Sequence, residues 1–197
     1  MEYRFEQNRL KRAQAAILLA AVTGMSRSAL LSIPIREINL KKLLVYQYPE
    51  RGVCTEKLAC GTTHIFPQPE IIGFLKKYTD ELKKVSPADC TWFIRYSRHG
   101  APQPVKFGEI SDENRKEAYK FALTSYGRLK EDLVKVSEAC KIPKVTLSIA
   151  QNTFIYQRLR ESCDQDSVEK ITQDLLLKDP APVKQCLKLL NSQKKPC

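Results

Sequence analysis

The sequence has little glycine and histidine and no closely spaced pair of cysteines. Its 197 residues include only 7 Gly, and neither a G-x-G-x-x-G nor a G-x-x-x-x-G-K-[ST] phosphate loop occurs. The 7 Cys contain no C-x-x-C pair, and there are 2 His, so the usual zinc fingers and ribbons are excluded and free thiols are expected. The sequence therefore predicts no metal, no nucleotide cofactor and no other bound cofactor.

Long apolar runs are also missing. The longest, Ala13 to Val22, falls far short of the ~20 residues that span a bilayer. It follows a charged segment and carries no small-residue cleavage pattern, so it does not resemble a signal peptide. We therefore expect a buried helix, no membrane association, and a cytoplasmic, nucleoid-associated location, or a nuclear one in a eukaryote.

Positive charge is abundant. There are 33 Lys and Arg against 22 Asp and Glu, a formal net charge of +11. Such a surface favours an anionic partner, with nucleic acid as the first candidate. Lysines occur in pairs, as at Lys41 and Lys42, and Arg95 and Arg98 stand among aromatic residues, as in surfaces that contact a nucleic-acid backbone. Solvated loop charges are the simpler explanation of the two arginines.

Hydrophobic periodicity predicts an α+β fold that is mainly α. We expect three short antiparallel strands between residues 34 and 66, and a brief extended piece at Trp92 to Ile94. The predicted helices cover about 9–22, 26–32, 69–84, 112–125, 126–140, 146–162, 167–177 and 181–191. Residues 191–197 are expected to be a loose tail.

Four segments, in this order, resemble motifs of the tyrosine recombinase (phage integrase) family. Thr23 to Ile33 resembles T-G-L-R-x-S-E-L-x-x-L, and Thr55 to Pro67 resembles the sheet that carries the family lysine. Lys144 to Phe154 resembles K-x-L-T-x-H-x-x-R-H-T-F, and Ile171 to Leu177 falls on the L-G-H segment. The resemblance covers about residues 9–190. It implies a single catalytic-domain-like helical bundle over 1–197, with the small sheet in its N-terminal third and without the N-terminal core-binding domain of active members.

Most residues that perform the family's chemistry are replaced here. The two arginine positions, the first histidine, the L-G-H histidine and the tyrosine nucleophile are occupied by Ser26, Gln151, Ser148, Leu177 and Cys186. The family lysine is retained as Lys57. A shifted alignment could place Arg27 at the first arginine position. It cannot supply the nucleophile, because no tyrosine follows Tyr156.

The resemblance implies a DNA-binding scaffold that does not cleave. In the family, a tyrosine oxygen attacks the phosphodiester while arginines stabilise the developing negative charge. Neutral side chains at both arginine positions remove that stabilisation. A Cys186 thiolate could replace the nucleophile, but a buried structural cysteine is the interpretation we favour.

Three hypotheses follow, and the first is an architectural or regulatory protein that binds duplex DNA through backbone contacts. Its candidate contacts are Arg27, Lys41, Lys42, Lys57, Arg95 and Arg98. The second is a protein-interaction module that associates with itself or with an active recombinase through residues 180–197, where an apolar helix is predicted. The third is an active recombinase.

Overall fold

The chain folds mainly into helices, with one small sheet. The computed structural model describes residues 2–55, 60–85, 92–94, 112–161, 168–177 and 179–193. Within these ranges the helices are α1 (Glu2–Thr23), α2 (Arg27–Ser32), α3 (Pro69–Val85), α4 (Asp112–Ala139), α5 (Leu147–Glu161), α6 (Val168–Asp174) and α7 (Ala181–Gln193). The strands are β1 (Ile38–Asn39), β2 (Leu44–Gln47) and β3 (Gly61–His64), antiparallel and in the order β1-β2-β3. The predicted fold class is confirmed.

Helix α1 is the centre of the main core. It packs against α3, α4 and α5, and its alanines at helical spacing, Ala13, Ala16 and Ala20, are fully buried. Small side chains allow neighbouring helices to approach closely, while Leu19 and Val22 supply buried apolar volume. The apolar run from Ala13 to Val22, which is too short to cross a bilayer, thus lies in a buried core helix, as its composition predicts. No helix within the described ranges is long and apolar enough to cross a membrane.

A second, smaller core joins the C-terminal helices. Phe154 and Ile155 of α5 pack with residues of α6 and α7, of which Ile171, Leu175 and Val183 are buried. Trp92 is also buried, and it forms an isolated bridge with Pro34.

The sheet is tied to the end of α1. The register of β2 and β3 pairs Val45 with Thr63, and both residues are buried. The backbone N–H of Ile65 donates to the carbonyl of Leu43 at 2.8 Å, and the next N–H, that of Phe66, donates to Val22 at 2.7 Å. The chain that leaves β3 is therefore fixed to the last turn of α1.

Three predicted boundaries are wrong. Residues 112–125 and 126–140 form one continuous helix, because the ~1 kcal/mol cost of Gly127 in a helix is offset by the burial of Leu129 and Leu133 beyond it. Helix α1 begins at Glu2 rather than near residue 9. Helix α7 continues to Gln193, so the expected loose tail does not begin at residue 191.

Candidate nucleic-acid site

Two of the residues that the resemblance assigns to catalytic positions, Ser26 and Gln151, lie near the end of α1. The helix stops at Gly24, whose φ of +64° lies in the left-handed region that favours glycine. Its N–H donates to the carbonyl of Ala20 at 2.9 Å. The hydroxyl of Thr23 donates to the carbonyl of Leu19 and accepts from the N–H of Met25. The turn is thus held by both backbone and side-chain hydrogen bonds.

Gln151 joins α5 to this turn. Its side-chain Nε2 donates to the carbonyl oxygen of Gly24 at 2.9 Å, between residues 127 apart in sequence. One turn further along α5, the buried ring of Phe154 lies against Gly24 so closely that a Cβ there would come within 2.6 Å of Cδ1. The amide at the second arginine position is therefore engaged in fastening α5 to α1.

Ser26, which the resemblance assigns to the first arginine position, caps α2. Its Oγ accepts a hydrogen bond from the N–H of Ala29 at 3.3 Å, the usual role of a serine before a helix. The hydroxyl of Ser28 lies 3.3 Å away. Ser26, two residues after Gly24, and Gln151, bonded to Gly24, thus lie close to the same short turn, and neither side chain carries charge.

The other family positions are distributed around α5. Ser148 is exposed in the first turn of α5, one turn before Gln151. Leu177 is half-buried beside the second core, and its N–H donates to the carbonyl of Thr172. Lys57 lies outside the described residues, so its contact with DNA stays a prediction.

Cys186, at the nucleophile position, lies on the buried side of α7. Cys186 is 2% exposed, and its Sγ donates to the carbonyl oxygen of Asn152 at 3.6 Å. Burial raises the pKa of the Cys186 thiol above its ordinary value. A thiol in this state is mostly protonated at neutral pH, whereas attack on phosphorus requires the thiolate.

The apolar face of α7 is covered by its own chain. Val183, Cys186 and Leu190 are buried, and α7 packs mainly on α5. Outside that face, Lys184 and Lys188 are exposed, and Leu189 is 54% exposed. The hypothesis that residues 180–197 associate with a partner stays a prediction, and only this outer face is open to one without undocking the helix.

The candidate DNA contacts that the structure describes are exposed cations on turns and helix ends. Arg27, the first residue of α2, has its guanidinium 4.5 Å from the centre of the Tyr126 ring, a cation–π contact. Lys41 and Lys42 are exposed in the turn after β1, where Asn39 Oδ1 accepts both backbone N–H groups, at 3.2 and 2.9 Å. That turn is therefore a fixed structure with two ammonium groups on its surface. Arg95 and Arg98 lie outside the described residues.

Sequence reasoning missed the contacts that give the site its shape. The Thr23-Gly24 pair signals a helix end, but nothing local indicates that Phe154 and Gln151 close on it. Among the described residues, no group of three His, Cys, Asp or Glu side chains is arranged to hold a metal ion.

The fold has a solved counterpart. No protein-family model matches the sequence, and no curated protein matches it in sequence. The crystal structure of XerA recombinase matches 98% of this chain with a TM-score of 0.56 and 18% identity. The chain spans 63% of that protein's length. At this identity the likeness is one of fold, and it shows that the chain has the recombinase-like fold that its motifs imply.

Proposed function

We propose that this chain binds duplex DNA through contacts to the phosphate backbone and does not cut it, in an architectural or regulatory role. The observation that carries the proposal is the hydrogen bond from Gln151 Nε2 to the Gly24 carbonyl. In the tyrosine recombinase family, which the chain resembles, an arginine at this position would hold phosphate oxygens. Here a neutral amide fastens two helices together instead.

The missing positive charge argues against strand cleavage. Losing one preorganised donor to a developing oxyanion typically costs about 100- to 1,000-fold in rate. Here both arginine positions are neutral, since Ser26 caps α2 and Gln151 holds Gly24. The Cys186 thiol, buried and held to the Asn152 carbonyl, is a poor replacement for a tyrosine nucleophile.

Binding without cutting is supported by the surface charge. A chain of net charge +11 attracts a polyanion, and Lys41 and Lys42 project from a turn close to the site. Leu43, the next residue, accepts the N–H of Ile65, and Phe66 is bonded to Val22 at the end of α1. The turn is therefore only a few residues removed from the junction that holds Ser26 and Gln151.

A pair of double variants tests where DNA binds. Lys41→Glu with Lys42→Glu removes two candidate phosphate contacts. Lys83→Glu with Lys84→Glu makes the same change of charge at the exposed end of α3. Glu81, in that last turn, is paired with Lys11, and Lys11 lies roughly 16 Å along α1 from Val22 at 1.5 Å per residue. The second variant is thus a control of equal charge at a distant place.

Equilibrium titration of duplex DNA at several salt concentrations provides the measurement. We expect the site variant to weaken binding more than the control and to make the slope of log K against log salt less negative by about 0.9 for each phosphate that the variant no longer neutralises. Equal weakening of DNA binding by the two variants would mean that the DNA does not contact the turn of Lys41 and Lys42. No binding of the unmodified chain at about 50 mM salt would refute the proposal.

A further inference from the structure

A cleft is lined by Phe154, whose ring also lies against Gly24 at the end of α1. It has a volume of about 600 Å³ and is walled by β3 with the residues that follow it, by α5 and by the end of α6. Its apolar lining comes from Ile65, Phe154, Leu175 and Leu176, and Arg158 and Asp174 also line it. It takes no part in the proposed contact with DNA.

The wall formed by β3 is the open edge of the sheet. Among the described strands, β3 pairs only with β2. The N–H of Ile65 donates to the carbonyl of Leu43, so Ile65 faces β2. Residues of an antiparallel strand face their partner strand and face away from it in turn. The N–H and C=O groups of Thr62 and His64 therefore point away from β2. Both residues are exposed and line the cleft. The cleft therefore has a row of two backbone donors and two backbone acceptors along one wall.

The ends of this edge are closed. Beyond His64, the next outward-facing N–H, that of Phe66, is bonded to Val22. At the start of β3, the side chain of Leu176 lies over Gly61, where a Cβ would come within 3.1 Å of Leu176 Cδ2. The open stretch thus spans Thr62 to His64, which suits a short extended segment.

The charges of the cleft differ from those of the chain. Arg158 and Asp174 are both exposed and of opposite sign, whereas the whole chain carries +11. An aspartate on the wall repels a phosphate backbone. It favours a ligand that carries a basic group.

We propose that this cleft binds an extended peptide segment of a partner protein by strand addition to β3. The backbone of the peptide pairs with Thr62 and His64, and one apolar side chain enters the space between Phe154, Leu175 and Leu176. A flanking basic residue of the peptide meets Asp174. Main-chain pairing supplies affinity and the alternate side chains supply specificity, as in other edge-strand complexes.

Two variants separate strand addition from other modes of binding. Thr62→Pro removes an outward N–H without touching the ladder to β2, a position where sheets tolerate proline. Thr62→Val is the matched control, because it loses the same hydroxyl, which lies 3.1 Å from Tyr48 Oη, but keeps the N–H. Leu176→Asn removes the apolar wall at a residue whose φ is +52°, a conformation that asparagine adopts readily.

The probe is a phage-displayed library of random heptapeptides selected on the folded chain, with the enriched peptides then synthesised and titrated. We expect enriched sequences with one apolar residue flanked by a basic residue. The unmodified chain and Thr62→Val should bind them equally, and Thr62→Pro and Leu176→Asn at least tenfold more weakly. The Thr62 and His64 amides should gain protection from hydrogen exchange.

Three results would overturn the proposal. One is a selection in which no peptide is enriched on the folded chain relative to the same chain unfolded in urea. Another is equal binding to Thr62→Pro and Thr62→Val. The last is sedimentation that finds a dimer which Thr62→Pro dissociates, because the occupant would then be a second copy of this chain. The test does not involve DNA, so its failure leaves the DNA-binding proposal unaffected.

Discussion

Replacing Gly24 by alanine tests the junction on which the site is built. A residue with a Cβ costs about 1–2 kcal/mol in the left-handed conformation, and Gly24 has a φ of +64°. The new methyl carbon would also lie 2.6 Å from Cδ1 of Phe154, a buried ring with little room to move. Overpacking of this kind typically costs about 1–3 kcal/mol. Together the two terms predict a reduction of roughly 3 kcal/mol in the free energy of unfolding.

Gly73→Ala is the matched control. Gly73 is exposed within α3, and a Cβ there would meet nothing within 4 Å. The same substitution should therefore stabilise the chain by about 0.5–1 kcal/mol, because alanine is the better helix former. Thermal unfolding followed by circular dichroism measures both. For a domain of this size, we expect Tm to fall by about 6–12 °C for Gly24→Ala and to rise by about 1–4 °C for Gly73→Ala. A Gly24→Ala variant as stable as the unmodified chain would refute the close contact between α1 and α5.

Other expectations follow from buried polar groups. Burial raises the pKa of the Cys186 thiol. A thiol reagent at pH 8 should therefore label the exposed Cys140 quickly, and Cys186 only as fast as the chain opens. Mass spectrometry of labelled peptides measures both rates, and equally fast labelling of the two cysteines would contradict the burial of Cys186. Arg9 pairs with Asp132, which is fully buried, so Arg9→Ala should lower the free energy of unfolding in urea by about 1.5–3 kcal/mol, the usual value of a hydrogen bond to a charged group, and no measurable loss would be inconsistent with that pair. Burial raises the pKa of Tyr78 above its ordinary value of 10.0. The folded state then keeps a proton that the unfolded state releases, so stability should be complete below pH 10 and fall above it. Tyr78→Phe should flatten that alkaline decline, although it also removes the hydrogen bond to a backbone carbonyl.

Local patterns predicted the elements well where the chain marks its own boundaries. Ser26 before an apolar helix, Gly24 after another, and proline at the start of α3 each have a direct backbone consequence, and the observed ends fall at or next to them. The division of α4 between residues 125 and 126 was wrong, and even the glycine at 127 does not interrupt the helix, because the local preference against glycine is weak. The buried residues on both sides of it, Ser125 and Leu129, hold the helix together through tertiary contacts.

The site was only partly predictable. The assignment of Ser26 and Gln151 to catalytic positions stays a prediction, and the structure adds only that both lie close to Gly24. What the side chains do there depends on long-range contacts. The hydrogen bond from Gln151 to Gly24 links residues 127 apart, and no periodicity in the sequence encodes such a pair. The cleft along β3 is likewise assembled from three separate elements.

The central claim is that this chain binds DNA and leaves it uncut. The direct measurement incubates the chain with a labelled duplex at about 50 mM salt and divides each sample between a native gel and a gel containing detergent. The account predicts a shifted complex on the native gel and complete release of intact duplex by detergent, with the shift disappearing steeply as salt is raised. A detergent-resistant protein–DNA adduct, or the absence of any shift, would contradict it.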